Sequence, residues 1–315
     1  MKAAFLTALK TVEVRETDEP RIQRDTDVLI RVATVGVCGS DMHYFRTGRI
    51  GEQVVEYPWI VGHECAGTVE DVGPGVKTLS PGDPVAVDPL IVCGDCDQCR
   101  GGREHTCRRQ AFLGCPGQVA GSLAELLVMP EHSCYRTPPD MTATRATLLE
   151  PFSIGLYAQR LAGDVKGRTV LVLGAGPIGL CVLLALKHAG ARRIYMTDLR
   201  DNRRELAERL SADWTGSPEQ QDVVAAVSEA EPLGVDLAYE CAGEQSTLDQ
   251  AVELLKPGGT LLVVGIPELD RISFPMDQLR RRELSIQNVR RQNQCVRPAM
   301  DLVGGGEIDL DPLVT

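Results

Sequence analysis

The chain has 315 residues, 43% hydrophobic and 24% charged, the make-up of a globular protein with room for two domains. Its net charge of −11 argues against nucleic acid or an anionic membrane surface as the main partner. Of eleven cysteines, seven show no paired spacing, and the start MKAAFLTALK has too short an apolar run for a signal peptide. A reducing, cytoplasmic setting is therefore expected. The longest apolar stretch, 170–186, is broken by three glycines and a proline and does not read as a membrane span.

The first 150 residues read as β-structure. Val12 and Val14 alternate with Glu13 and Arg15, and 28–32 and 67–72 are short strand candidates. Gly73-Pro74-Gly75 and Pro81-Gly82-Asp83-Pro84 punctuate them, a pattern that predicts a partly open barrel. The character changes near Glu150-Pro151. A helix is predicted over 152–162, then strand 170–173, helix 179–189, strand 193–197, helix 202–210, strand 235–239, helix 247–254 and strand 260–264. That alternation predicts a doubly wound parallel sheet covered on both faces. The Arg280–Arg282 run and the Arg290-Arg291 pair read as a solvated helix face or junction salt bridges.

Cys93, Cys96, Cys99 and Cys107 have the spacing C-x2-C-x2-C-x7-C. Four thiolates in so short a run can close a tetrahedral shell around one zinc ion. Two disulfides, scattered free thiols or an iron–sulfur cluster are the alternatives, although the C-x3-C-P ending of the bacterial ferredoxin run is absent. A closed four-thiolate site leaves no open coordination position, so it holds a loop and any active site lies elsewhere. His105, inside this lobe, is expected to face solvent.

Gly174-Ala175-Gly176-Pro177-Ile178-Gly179 is a G-x-G-x-x-G run between a predicted strand and an apolar helix. Asp198 follows at the end of the next strand, nineteen residues after Gly179. In that context the run is a dinucleotide fingerprint, with the pyrophosphate at the helix N-terminus. Asp198 would accept hydrogen bonds from ribose hydroxyls and repel a 2′-phosphate, which favours NAD over NADP. Arg200 and Arg203 nearby pull weakly the other way. Arg203 and Val264-Gly265-Ile266, at the end of the last predicted strand, complete the expected cofactor contacts.

Upstream, Cys38 and His63 offer zinc-ligand types, but 25 residues separate them and spacing alone leaves Cys38 open as a core thiol. The order Gly36-Val37-Cys38-Gly39-Ser40-Asp41, Gly62-His63-Glu64, four-cysteine lobe, Glu150-Pro151 and Gly174-x-Gly176-Pro177-x-Gly179 resembles the medium-chain zinc-dependent alcohol dehydrogenase superfamily. Cys38 to Tyr44, Gly48-Arg49-Ile50-Gly51, 149–155 and Thr197-Asp198-Leu199 most resemble its polyol branch, the sorbitol and xylitol dehydrogenases. The resemblance implies a GroES-like catalytic domain at 1–155 with the zinc lobe at 93–107, and a Rossmann NAD domain at 156–290. It implies that 291–315 returns toward the catalytic domain and ends early relative to the family.

By matching motif positions, Cys38, His63 and Glu64 would hold a catalytic zinc. Glu150 would lie near it, as a direct ligand or through water. Ser40 and His43 match a proton relay, against a turn-capping serine and a solvent histidine. Tyr44, Glu150 and Arg290 match substrate positions. Arg291 stands where the branch often has tyrosine, and Leu113 where an aromatic often lines the pocket. The implied activity is hydride transfer from a polyol's secondary alcohol to NAD, with two zinc ions per chain and a homodimer or homotetramer. Threonine 3-dehydrogenase-like activity, sugar-acid or sugar-phosphate oxidation, and a non-catalytic NAD-binding protein with structural zinc only are the alternatives.

Overall fold

The computed structural model describes residues 1–314. The chain forms two compact units, one of Met1–Glu150 with Val296–Gly306 and Val314, the other of Pro151–Cys295 with Glu307–Leu313.

The first unit is built on a five-stranded antiparallel sheet. In spatial order its strands are Leu126–Pro130, Asp27–Gly36, Glu64–Val72, Pro84–Val87 and Cys134–Arg136. The pairing of Asp27–Gly36 with Glu64–Val72 slips twice, between Leu29 and Ile30 and between Val32 and Thr34. Such bulges increase local twist and curl the sheet, which gives the expected half-barrel. Val28, Ile30, Val69, Val85, Leu127 and Met129 fill its inside. A smaller sheet pairs Lys2–Ala8 with Thr11–Glu16 and Trp59–Ile60.

The second unit is the expected doubly wound sheet. Its six parallel strands, in chain order Thr169–Leu173, Arg193–Thr197, Trp214–Gly216, Val235–Glu240, Leu255–Val263 and Ser285–Asn288, lie side by side as third, second, first, fourth, fifth, sixth. Every residue of Thr169–Leu173 is buried, as a central strand covered on both faces requires. The helix Pro177–His188 follows that strand, and seven of its twelve residues are buried. The order reverses between the first and fourth strands, and ligands of such sheets bind outside the carboxyl ends at that point.

The arginine run divides its roles. Arg280 and Arg281 pair with Asp277 along the short helix Met276–Arg281, a solvated face as expected. Arg282 instead donates to the carbonyls of Val252, Glu253 and Leu255 at the end of the helix Gln245–Leu254. No helix among the described residues is long and apolar enough to cross a membrane.

Candidate active site and zinc centres

The four lobe cysteines converge. Cys93 and Cys107 sulfurs lie 3.4 Å apart, Cys96 and Cys99 3.5 Å, and the Cys93–Cys99 and Cys96–Cys107 pairs 3.9 Å. A tetrahedron with zinc–sulfur bonds of about 2.3 Å has edges of roughly 3.8 Å, whereas a disulfide needs about 2.05 Å. The separations fit one zinc ion and no disulfide. Backbone N–H groups of Cys93 and Arg109 point at the Cys107 sulfur, both at 3.4 Å. Backbone bonds from Arg108 and Cys99 hold the Cys96 thiol down to about 6, while desolvation and the neighbouring sulfurs push Cys99 up to about 12, as crowding among four thiols requires. Donors aimed at sulfur favour thiolate, the form a metal binds. His105 does not face solvent as expected: it is 3% exposed, tucked in by the single turn Glu104–Thr106.

The sheet register explains how Cys38 meets His63. Gly36 at the end of one strand pairs with Glu64 at the start of its neighbour. Cys38, two residues beyond the first, and His63, one before the second, are thereby placed at the same sheet end. Ligand atoms of Cys38, His63 and Glu64 all lie within 4.8 Å of one another. A side chain at Gly36 would press on the Glu64 carboxylate and push it away from the triad.

Cys38 also caps the helix Gly39–Thr47, and Asp41 in its first turn closes the capping box. The Asp41 carboxylate is 4% exposed and accepts from the backbone N–H of Cys38 at 3.0 Å and of Gly62 at 3.1 Å. Its Oδ1 lies 3.7 Å from His63 Nδ1. One buried carboxylate thus ties both metal-type ligands together, a residue the sequence reading passed over. The signal was present in an acidic residue three positions after the cap.

Electrostatics at the triad favour a cation. Burial pushes the Cys38 thiol up, against the pull of His63. Burial likewise pushes the Glu64 carboxyl up. At His63 burial acts downward, but Asp41, Cys38 and Glu150 outweigh it and hold the imidazole well above its usual range. Buried anionic donors of this kind are costly unless a positive charge compensates them. A divalent ion held by thiolate, imidazole and carboxylate provides that compensation. Glu150, 4% exposed in the first turn of the helix Leu149–Leu161, lies outside the close triad, yet its charge is felt at Cys38 and His63.

Ser40 and His43 are three residues apart on the helix Gly39–Thr47, hence on one face, and both are half-buried. Tyr44 is 5% exposed. Its hydroxyl donates to Gln53 Oε1 at 3.1 Å and lies 4.0 Å from the Cys115 sulfur. Phe112 packs on the His63 ring with centroids 5.3 Å apart. Leu113 faces the barrel core instead. Sequence reasoning missed Gln53 and Phe112, which have no motif around them. Arg290 is exposed, in the second unit, two residues after the strand Ser285–Asn288.

In the second unit Gly174 has φ +101°, a conformation that favours glycine. A Cβ on Gly179 would land on the Gly174 carbonyl oxygen. Gly176 caps the helix and Pro177 occupies its first turn, while Ile178 is half-buried. Asp198 accepts from the N–H of Ala175 and of Arg200, both at 2.9 Å, with the Arg203 guanidinium 3.5 Å away. Val264 and Gly265 are half-buried and Ile266 is 47% exposed beyond the fifth strand. The glycine turn, helix N-terminus and acidic strand end fit a dinucleotide.

The alcohol dehydrogenase GroES-like domain family matches residues 24–139, and the zinc-binding dehydrogenase family matches 177–304. The chain belongs to the zinc-binding alcohol dehydrogenases. The resemblance drawn from its ordered motifs thus holds across the chain, which is an oxidoreductase acting on an alcohol CH–OH group. Among relatives of this dehydrogenase, an L-idonate 5-dehydrogenase of Vitis vinifera is 35% identical over 318 residues, covering 99% of this chain and 86% of the relative. A sorbitol dehydrogenase of Bacillus subtilis is 35% identical over 316 residues, covering 100% and 89%. A Sinorhizobium meliloti structure described as a zinc-binding dehydrogenase bound to NADP superposes with TM-score 0.90 at 31% identity, covering 98% of this chain and 90% of that one.

Proposed function

We propose that this dehydrogenase oxidises a secondary hydroxyl of a polyol of the sorbitol or xylitol type to the ketose, with NAD as acceptor. The buried Cys38–His63–Glu64 triad held by Asp41 carries the reading. The three triad residues would hold the catalytic zinc, with Glu150 beside them, and the four lobe cysteines the structural one. The zinc supplies Lewis acidity toward an alcohol oxygen, and the dinucleotide supplies a hydride acceptor.

The chain's own residues orient the reaction and move its proton. Asp41 fixes His63 and the Cys38 backbone, so the donor set is preorganised. Ser40 Oγ accepts the alcohol proton as its own passes to the His43 imidazole, one turn along the same helix face, and from there to solvent. Carbon loses a hydride and oxygen a proton, which leaves a ketone. Tyr44, positioned by Gln53, and Arg290 bind hydroxyls that do not react. Asp198 favours NAD by accepting from ribose hydroxyls; two N–H groups already orient its carboxylate. The division into 1–155, 156–290 and 291–315 belongs to this reading as a functional division, while the compact units themselves divide after Glu150 and after Cys295.

A second substrate reading is an anionic sugar. Arg290 and Arg291 form a local exception in an acidic chain, and Arg291 is held at φ +53°. A non-glycine residue there costs about 1–2 kcal/mol, and such strain clusters at functional sites. The 35% identity to an L-idonate 5-dehydrogenase supports the same reading. NADH formation from sorbitol, xylitol, a sugar acid, a sugar phosphate and threonine separates the cases. Fastest turnover of a neutral polyol upholds the main reading; fastest turnover of a sugar acid or phosphate replaces it with the second.

A homodimer or homotetramer and a cytoplasmic setting complete the proposal. The edge strand Ser285–Asn288 is exposed along its length, including Ile286, as a strand that pairs with a second copy would be.

A further inference from the structure

Glu240 ends the fourth strand of the parallel sheet, beside the first. It is 1% exposed, and no step above uses it. Its Oε1 accepts from Ala242 N at 2.8 Å and Gly243 N at 2.7 Å, and it shares the Thr247 hydroxyl, 2.8 Å away, with the Glu244 carbonyl, also at 2.8 Å. Its Oε2 has no hydrogen-bond partner among the described residues. That oxygen faces Gly265: a Cβ built there would sit 2.8 Å from it. The Glu240 backbone carbonyl also accepts from Val264 N at 2.8 Å and Gly265 N at 2.9 Å. The turns after the fourth and fifth strands are therefore both tied to this one residue.

Position gives the carboxylate a use. A sheet of this order carries one nucleotide on each half, and the two meet at the reversal between first and fourth strands. The glycine turn at 174–179 serves the adenosine half and the pyrophosphate. The carboxyl end of the fourth strand is then left to the nicotinamide half. A buried carboxylate oxygen without a partner is expensive to keep, and its field is strong where water is excluded. The nicotinamide ring is cationic when oxidised and neutral when reduced.

We propose that the Glu240 carboxylate biases the site toward the oxidised cofactor, as a positioning and electrostatic residue at the nicotinamide half. The inference rests on the reading that this unit binds a nicotinamide dinucleotide. Glu240 need not touch the ring, because the difference between the two redox forms is a whole charge.

The test titrates the zinc-loaded full chain with NAD+, NADH and ADP-ribose by calorimetry. In Glu240→Gln the amide oxygen can keep the two backbone N–H donors of Oε1 and the shared Thr247 hydroxyl while the charge is lost. The ratio of NAD+ to NADH dissociation constants should rise about tenfold, with ADP-ribose affinity within about twofold of wild type. Parallel weakening of NAD+ and NADH, or an unchanged ratio, overturns the proposal. If wild type fails to bind ADP-ribose, the nucleotide-site reading falls and takes the inference with it; a ratio that stays put while ADP-ribose binds sinks the inference alone. Should Glu240→Gln not fold, Thr247→Val decides. It removes one donor and leaves the charge less neutralised, so the ratio should fall roughly twofold or more; an unchanged or rising ratio overturns the proposal.

Discussion

Asp41→Asn is the sharpest probe of how the metal triad is held. The carboxylate accepts two buried backbone N–H bonds, from Cys38 at 3.0 Å and Gly62 at 3.1 Å, one on each oxygen, and faces His63 Nδ1. Asparagine keeps one oxygen and turns the other position into an N–H donor. One backbone N–H then meets a donor instead of an acceptor, and the surviving bond loses its charge. Bonds to a charged group are worth about 1.5–3 kcal/mol, and an unsatisfied buried donor costs about 1–3 kcal/mol. Because the turn can relax in part, the expected loss is about 2–4 kcal/mol, roughly 5–15 °C in Tm for a unit of this size. Zinc affinity at the triad should fall about 10–100-fold, since partners that orient ligands carry that much. Chelator competition, with metal content read per chain, measures the affinity, and thermal melts of the zinc-loaded protein measure the stability. Zinc affinity within twofold of wild type, with the melt unchanged, would refute the role given to Asp41.

Three further outcomes follow from named contacts. Cys107→Ser opens the lobe, so metal content should drop by one zinc per chain while the Cys38 site still loads; loss of both ions would mean that the lobe and the triad are not independent. Gly179→Ala puts a methyl on the Gly174 carbonyl, and the turn must shift, costing about 1–3 kcal/mol as overpacking does; NAD affinity should weaken at least about tenfold, and calorimetry that finds native affinity contradicts the assigned turn. At Asp236, burial pushes the carboxyl up, but Lys256 and the Thr169 N–H at 2.8 Å outweigh it and hold it below the usual range. A depressed folded-state pKa contributes stability above the unfolded value that is lost as pH falls through the folded one. The stability advantage of wild type over Asp236→Asn in urea titrations should therefore be full above about pH 5 and shrink below about pH 4; an advantage that grows on acidification would reverse the sign.

Much of this was legible before the fold was known, and the exceptions have physical reasons. The parallel sheet announced itself through continuous apolar runs such as 170–173, because central strands are buried on both faces. The edge strands Trp214–Gly216 and Ser285–Asn288 did not, since edges carry few buried side chains. The helix Leu149–Leu161 begins three residues before the expected 152 because Pro151 reads as a breaker, yet proline is tolerated in a first turn where no N–H is needed. The strand Leu255–Val263 includes Pro257-Gly258-Gly259, which reads as a turn.

At the site, Cys38 and His63 are joined by the Gly36–Glu64 register, a property of sheet pairing that spacing does not encode. The ordered family motifs supplied what spacing could not. Gln53 and Phe112 act through neighbours and stand in no motif of their own, whereas Asp41 lies inside the Gly36–Asp41 motif and its role emerges only from its bonds to the Cys38 and Gly62 backbone. His105 reads as a surface residue because four cysteines complete the zinc shell without it, and the short turn buries it regardless.

The central claim is a dehydrogenase whose turnover needs the ion at Cys38, His63 and Glu64. The direct measurement is metal content together with NADH formation from sorbitol or xylitol, for wild type and Cys38→Ser. Two zinc ions per chain with turnover in wild type, and one zinc without turnover in a folded Cys38→Ser protein, is the expected result. Undiminished turnover in Cys38→Ser, or a fully active wild type with a single zinc in the cysteine lobe, would contradict it.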